Sequence, residues 1–115
     1  MIKRGEIYLA SLNPKRCNEA GKLRPVLIIQ TDMLNEISHP TVIVLPLSTK
    51  LIDDAYPLRF RVKKRGKLQK DSDVLCDQIR AIDIKRIKSE PLAILNEKEL
   101  LEIEHRIEII LGFEE

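Results

Sequence analysis

Tryptophan is absent from this chain, and its 115 residues hold only four other aromatics, Tyr8, Tyr56, Phe60 and Phe113. A sheet that stacks bases in the RRM manner needs aromatics on adjacent strands, so this composition argues against that mode of RNA binding. Two cysteines, Cys17 and Cys76, are too few for a disulfide framework and suit a reducing compartment. The four glycines stand singly, which leaves no glycine-rich phosphate loop. His39 and His105 lie far apart and no C-x-x-C pair occurs, so neither a metal centre nor a cofactor is expected. Long apolar runs are missing too. The longest, residues 42–47, contains Pro46 and falls far short of a bilayer span. The start, Ile2-Lys3-Arg4-Gly5-Glu6, has no signal-peptide apolar region, so a cytoplasmic location without membrane contact is expected.

An excess of charge of one sign is also lacking. The 20 Lys and Arg against 18 Asp and Glu leave a net charge of only +2. That balance hides a segregation: residues 1–55 carry +1, residues 56–90 carry +6, and residues 91–115 carry −5. The charge map is therefore more informative than the average.

At 43% hydrophobic and 33% charged, the composition is that of a folded globule rather than a disordered polyampholyte. The length fits one domain spanning residues 1–115 and suffices for an independent core. Residues 5–12 alternate Ile7, Leu9 and Ser11 with Glu6, Tyr8 and Ala10, a strand pattern broken by Asn13-Pro14. Residues 15–22 form a polar loop. Pro25 opens the apolar run 26–29, a strand buried on both faces, and residues 41–45 repeat that pattern before Pro46-Leu47-Ser48-Thr49-Lys50. Between these two runs, residues 32–36 fit a single helical turn or a loop.

Residues 58–62 alternate strictly, with Leu58, Phe60 and Val62 on one face and Arg59 and Arg61, joined by Lys63, on the other. Residues 74–79 read as a fifth strand and 91–95 as a short sixth. Strands at this spacing with few helices between them favour a small antiparallel barrel. The chain ends differently. Asn96 and Glu99 have capping-box spacing, and Leu100, Ile103, Ile107, Ile110 and Leu111 follow at helical period before Gly112.

Few residues remain as candidates for chemistry. Arg24 stands just before a buried strand; it fits a solvated residue closing a loop or a fixed guanidinium gripping phosphate. Ser48 and Thr49 end the next apolar strand, either as a turn or as hydroxyls presented at a strand edge. Asp77 alternates with Leu75 and Ile79 and either balances Arg80 or serves a site. Cys76 reads as core, and Cys17 lacks a neighbouring histidine to make it a nucleophile.

The order of these pieces resembles the MazF/PemK/Kid endoribonuclease toxins of type II toxin–antitoxin systems. The matching segments are Arg4-Gly5-Glu6-Ile7-Tyr8, Asn13-Pro14, Glu19-Ala20-Gly21-Lys22-Leu23-Arg24-Pro25-Val26-Leu27-Ile28, Val44-Leu45-Pro46-Leu47-Ser48-Thr49 and Asp77-Gln78-Ile79-Arg80-Ala81-Ile82-Asp83, then the terminal helix. They run collinearly over essentially the whole chain. The resemblance implies a mainly β fold with α, a small SH3-like antiparallel barrel with a C-terminal helix, forming a homodimer. It further implies a sequence-specific, metal-independent endoribonuclease acting on single-stranded mRNA, held in check by a cognate antitoxin.

By that resemblance Arg24 takes the place of the catalytic arginine of the R-P motif. Ser48 stands where MazF proteins usually carry threonine, keeping the hydroxyl without the methyl. Glu19 matches a loop glutamate, though the surrounding Cys17-Asn18-Glu19-Ala20 departs from the family's pattern. Asp77 matches the aspartate of the Kid branch, yet Leu75 and Asn18 replace that branch's arginine and histidine. The Arg24–Ser48 pair is thus the safer transfer, and Asp77, Glu19 or a water they orient is left as the base. Asn18, Lys22, Thr49, Lys50, Arg59, Arg61 and Gln78 complete the set as candidate RNA-binding residues. Two competing readings share the barrel: a non-catalytic toxin that binds a protein such as gyrase, and a nucleic-acid-binding barrel without chemistry.

Overall fold

Alternation and proline placement decide how the strands of this chain meet. The computed structural model describes residues 1–12 and 23–113. Its elements are β1 (Glu6–Ser11), β2 (Leu23–Ile28), α1 (Asp32–Glu36), β3 (Thr41–Ser48), β4 (Arg59–Val62), β5 (Ser72–Leu75), β6 (Arg80–Asp83), β7 (Ala93–Ile94) and α2 (Glu97–Ile110). All strand pairings are antiparallel, in the order β4-β5-β3-β2-β1-β7, with β6 on the first half of β3. The expected barrel is a curled antiparallel half-barrel closed off by the C-terminal helix.

β3 is the pivot. Its first half pairs with β6 from Thr41 to Val44, its middle pairs with β2 from Val44 to Pro46, and its end pairs with β5 at Leu47 and Ser48. Pro46 sits on the last β2–β3 rung, opposite Val26, where the strand is about to change partners. Proline has no N–H to give a ladder, so it is tolerated where the ladder ends.

Because successive side chains of a strand point to opposite faces, the central apolar runs feed two cores. Ile7, Leu27, Leu45, Val74 and Ile103 belong to one cluster. Tyr8, Val26, Ile28, Val44 and Ile82 belong to the other. Two-face burial of β2 is as the sequence suggests, but β3 matches it only from Val44 onward, because Thr41 and Ile43 leave one side of its first half exposed. β1 too is buried on both faces, Ile7 on one and Tyr8 with Ala10 on the other. Ile2, Leu12, Ile84 and Ile87 cover that face, and the last two flank a 3-10 turn at Ile84–Arg86.

The strand expected at residues 74–79 is corrected. β5 begins earlier, at Ser72, and ends at Leu75; residues 76 and 77 form a turn closed by the Gln78 N–H donating to the Leu75 carbonyl at 3.1 Å. Asp77 is therefore an exposed turn residue and not a member of an alternating strand. The reason is electrostatic. Asp73 can be buried in a strand because Arg61 lies opposite it in β4 and matches its charge. The terminal helix follows expectation. Asn96 accepts from the Glu99 N–H at 2.8 Å while the Glu99 carboxylate accepts from the Asn96 N–H at 3.0 Å, and Ile103 inserts into the first core.

Candidate functional site

Beyond the Val26–Pro46 rung, β2 and β3 part. β2 leads back to Arg24, which pairs only with Ala10 of β1, while β3 runs on to Ser48, which pairs with β5. The gap is an open groove of about 420 Å³ lined by Arg24, Pro46, Ser48, Leu75, Gln78 and Arg80, with Leu12 at its edge. Two of the sequence candidates, Arg24 and Ser48, therefore meet although 24 positions apart, and Gln78 joins them.

The Arg24 side chain is exposed, and among the described residues nothing hydrogen-bonds to or pairs with its guanidinium. A cation whose five donors are uncommitted is what an incoming oxyanion requires. The Ser48 hydroxyl oxygen accepts the Lys50 N–H at 3.1 Å, a tight turn at the strand end. That bond occupies one lone pair and leaves the hydroxyl proton available to an acceptor in the groove. Arg80, opposite Val44 in β6, donates through Nη2 to the Leu12 carbonyl at 3.2 Å and adds a second guanidinium. Sequence reasoning treated Arg80 only as a counter-charge for Asp77. Its i, i+2 spacing from Gln78 was the available signal, since both fall on the groove.

The other candidates are distributed elsewhere. Thr49, one residue past Ser48, lines a different hollow with Pro25, Lys67 and Lys70, as adjacent residues near a strand end point opposite ways. Asp77 is exposed in the turn just before Gln78 and does not line the groove. Lys50 is exposed, and its carbonyl accepts from Arg59 Nη1 at 3.0 Å. Asn18, Glu19 and Lys22 lie outside the described residues.

Arg59 and Arg61 do not form an uncommitted cationic face. Arg59 Nη1 donates to Asp73 Oδ2 at 3.1 Å, Arg61 Nε donates to Asp73 Oδ1 at 2.5 Å, and Arg61 Nη2 donates to Asp53 Oδ1 at 2.9 Å. Asp73 is 1% exposed. Burial pushes its pKa up, but hydrogen bonds from Arg61, the Ile52 N–H and Arg59, with the Arg61 charge, outweigh that and hold it below the ordinary carboxylate value. The same pairing raises the pKa of Arg61, through its hydrogen bonds to Asp73 and then Asp53.

Two guanidiniums, a hydroxyl and a carboxamide converging on an open groove are suited to binding a phosphodiester and stabilising added negative charge on it. Among the described residues the groove lining contains neither histidine nor carboxylate, so a base must come from outside these. Among the described residues no group of three or more His, Cys, Asp or Glu gathers as a metal site.

Fold and groove together define a small half-barrel protein with a guanidinium-lined cleft. The PemK-like, MazF-like toxins of type II toxin–antitoxin systems match residues 3–111, and the chain belongs to that family. Endoribonuclease MazF of Staphylococcus epidermidis is 43% identical over 113 residues, covering 97% of this chain and 92% of that protein. Among solved structures, an endoribonuclease in complex with its cognate antitoxin from a mycobacterial species superposes with a TM-score of 0.78 at 17% identity, covering 100% and 99% of the two chains. MazF of Deinococcus radiodurans gives 0.74 at 21% identity over 96% of each. At such identities these two likenesses speak to the fold.

Proposed function

We propose that this chain is the toxin of a type II toxin–antitoxin system and acts in the cytoplasm as a sequence-specific endoribonuclease on single-stranded mRNA. The observation that carries the reading is the meeting of Arg24 with Ser48 in the groove between β2 and β3. The endoribonuclease name of the 43% identical relative supports it.

The chemistry uses the RNA's own 2′-OH. Its oxygen forms a bond to the adjacent phosphorus as the bond from phosphorus to the 5′-oxygen breaks, giving a 2′,3′-cyclic phosphate and a 5′-OH. The 2′ proton goes to a base, the phosphorane needs charge stabilisation, and the departing 5′-oxygen needs a proton. Arg24 stabilises the phosphorane, with Arg80 beside it. Ser48 donates its hydroxyl proton to a phosphoryl oxygen, and Gln78 orients the strand. The base is Asp77, Glu19 or a water they orient. DNA lacks the 2′-OH, so the route confines cleavage to RNA. Hydrolysis of the cyclic ester gives a 3′-phosphate. The chain acts as a homodimer, and its antitoxin covers the same groove with a segment whose acidic side chains meet Arg24 and Arg80. Target choice rests on the segments at residues 13–23 and 50–57.

The test is a long single-stranded RNA incubated with the purified chain in a chelator. Cleavage to 5′-OH ends is expected, and Arg24→Ala is expected to keep its far-UV spectrum while losing at least about a hundredfold in rate. Undiminished cleavage by the folded variant overturns the site. RNA left intact by the unaltered chain overturns the activity and favours a toxin that binds a protein target.

A further inference from the structure

Asp73 is a fully buried carboxylate that the chemistry above does not use, and it sits directly across the β3–β5 ladder from Ser48. Its two oxygens accept three hydrogen bonds. Two come from Arg59 and Arg61 in β4, and the third is the Ile52 N–H at 3.0 Å, from the loop that follows Ser48. The network then returns to the site. Arg59 Nη1, held by Asp73, also donates to the Lys50 carbonyl at 3.0 Å, and the Lys50 N–H donates to Ser48 Oγ at 3.1 Å. Arg61, held by the same carboxylate, reaches out to Asp53. Lys50, Ile52 and Asp53 are thus all anchored, directly or through an arginine, to one carboxylate.

We propose that Asp73 is a positioning residue, which through Arg59 and Arg61 fixes the turn at residues 48–53 and so aims the Ser48 hydroxyl into the groove. This rests on the reading of Ser48 as a group that meets RNA. The argument is geometric. A serine hydroxyl has three staggered rotamers and no γ-methyl to restrict them, so its direction depends on what its oxygen accepts. Here that is the Lys50 N–H, and Arg59 holds the other side of the same residue through the Lys50 carbonyl, fixing the next peptide along. A guanidinium is planar and forked, so one group can join a carboxylate and a carbonyl at fixed angles, as an ammonium cannot. The inverse is equally specific. With Asp73 neutral, Arg59 and Arg61 become two buried-edge cations without a full counter-charge, and the turn loses its common anchor. The lowered pKa of Asp73 keeps that anchor charged at neutral pH.

The experiment compares Asp73→Asn, Ser48→Ala and the double variant on an RNA oligonucleotide with one cleavage site, with backbone amide exchange measured in parallel. Asp73→Asn is expected to fold, to lower kcat about tenfold or more with KM changed little, and to have almost no further effect once Ser48 is alanine, since misplacement of a reacting group by a fraction of an ångström acts on the chemical step. Asp73→Glu is expected to restore part of kcat. The Lys50 and Ile52 amides are expected to exchange at least tenfold faster in Asp73→Asn while those of β1 and β2 hold. Full additivity of the two substitutions, or unchanged exchange at Lys50 and Ile52, overturns the proposal. A chain that cleaves no RNA overturns the endoribonuclease reading, and the exchange measurement still decides the positioning role. A variant that does not fold is replaced by Arg59→Lys, which keeps the charge but lacks the fork. Wild-type kcat in a folded Arg59→Lys likewise overturns the proposal.

Discussion

Cys76 is fully buried behind the end of β5, and burial pushes its thiol pKa up to about 12, with nearby Asp77 adding to the shift and Arg106 opposing it. Alkylation needs the thiolate, and at pH 8 such a thiol is ionised on the order of one part in ten thousand. In a Cys17→Ser background, iodoacetamide is therefore expected to leave the native protein unmodified over hours and to label it fully in denaturant. Rapid native labelling would show that residues 75–77 open freely. The sequence reading of Cys76 as core needed only its apolar neighbours. Arg24 and Ser48 were legible for a related reason, since each stands at the boundary of an apolar run. Arg80 was not, because its role depends on β3 and β6 pairing so that it faces a groove built by other strands.

Elements differ in the same way. α2 was legible because its capping box and its apolar stripe are local, written within three and four residues of each other. Two substitutions should separate these contributions. Asn96→Ala removes the acceptor for the Glu99 N–H and is expected to cost about 1 kcal/mol. Ile103→Ala empties a site that is 1% exposed and is expected to cost about 2–5 kcal/mol. Urea unfolding measures both, and equal losses would mean that α2 is held by its cap rather than by its docking. The start of β5 was misplaced by two residues because Ser72 and Asp73 read as polar. Their burial depends on β4, with Asp73 bonded to Arg61 across 12 residues and to Arg59 across 14. No window the length of a strand contains that compensation.

At the scale of the molecule, ion pairs tie the acidic end to one arginine of the basic middle and to one near the start of the chain. Arg65 pairs with Glu99 of α2 at 2.8 Å, Arg4 pairs with Glu104, and Arg106 pairs with Glu102 within the helix. The Arg24 guanidinium, which no described residue engages, lies outside the basic segment, while Arg80, within that segment, lines the same groove. Two ion-paired carboxylates, Glu99 and Asp73, bear on acid stability. Glu99, whose burial is outweighed by the Arg65 and Asn96 hydrogen bonds, titrates below its ordinary value, as does Asp73. A depressed folded pKa means that the unfolded chain takes up protons first, so this stability is present above about pH 4 and is lost as pH falls through the folded values. Glu102 is shifted the same way by Arg106, but it is solvent-screened, and i,i+4 pairs of that kind contribute little. Melting temperature from pH 7 to pH 3 is thus expected to fall steeply for the unaltered chain. Asp73→Asn should start lower and fall much less, whereas Glu102→Gln should track the unaltered curve. If both variants flatten the curve alike, the buried Asp73 pair is no stronger than a surface one, and acid sensitivity belongs to the net charge of the whole chain.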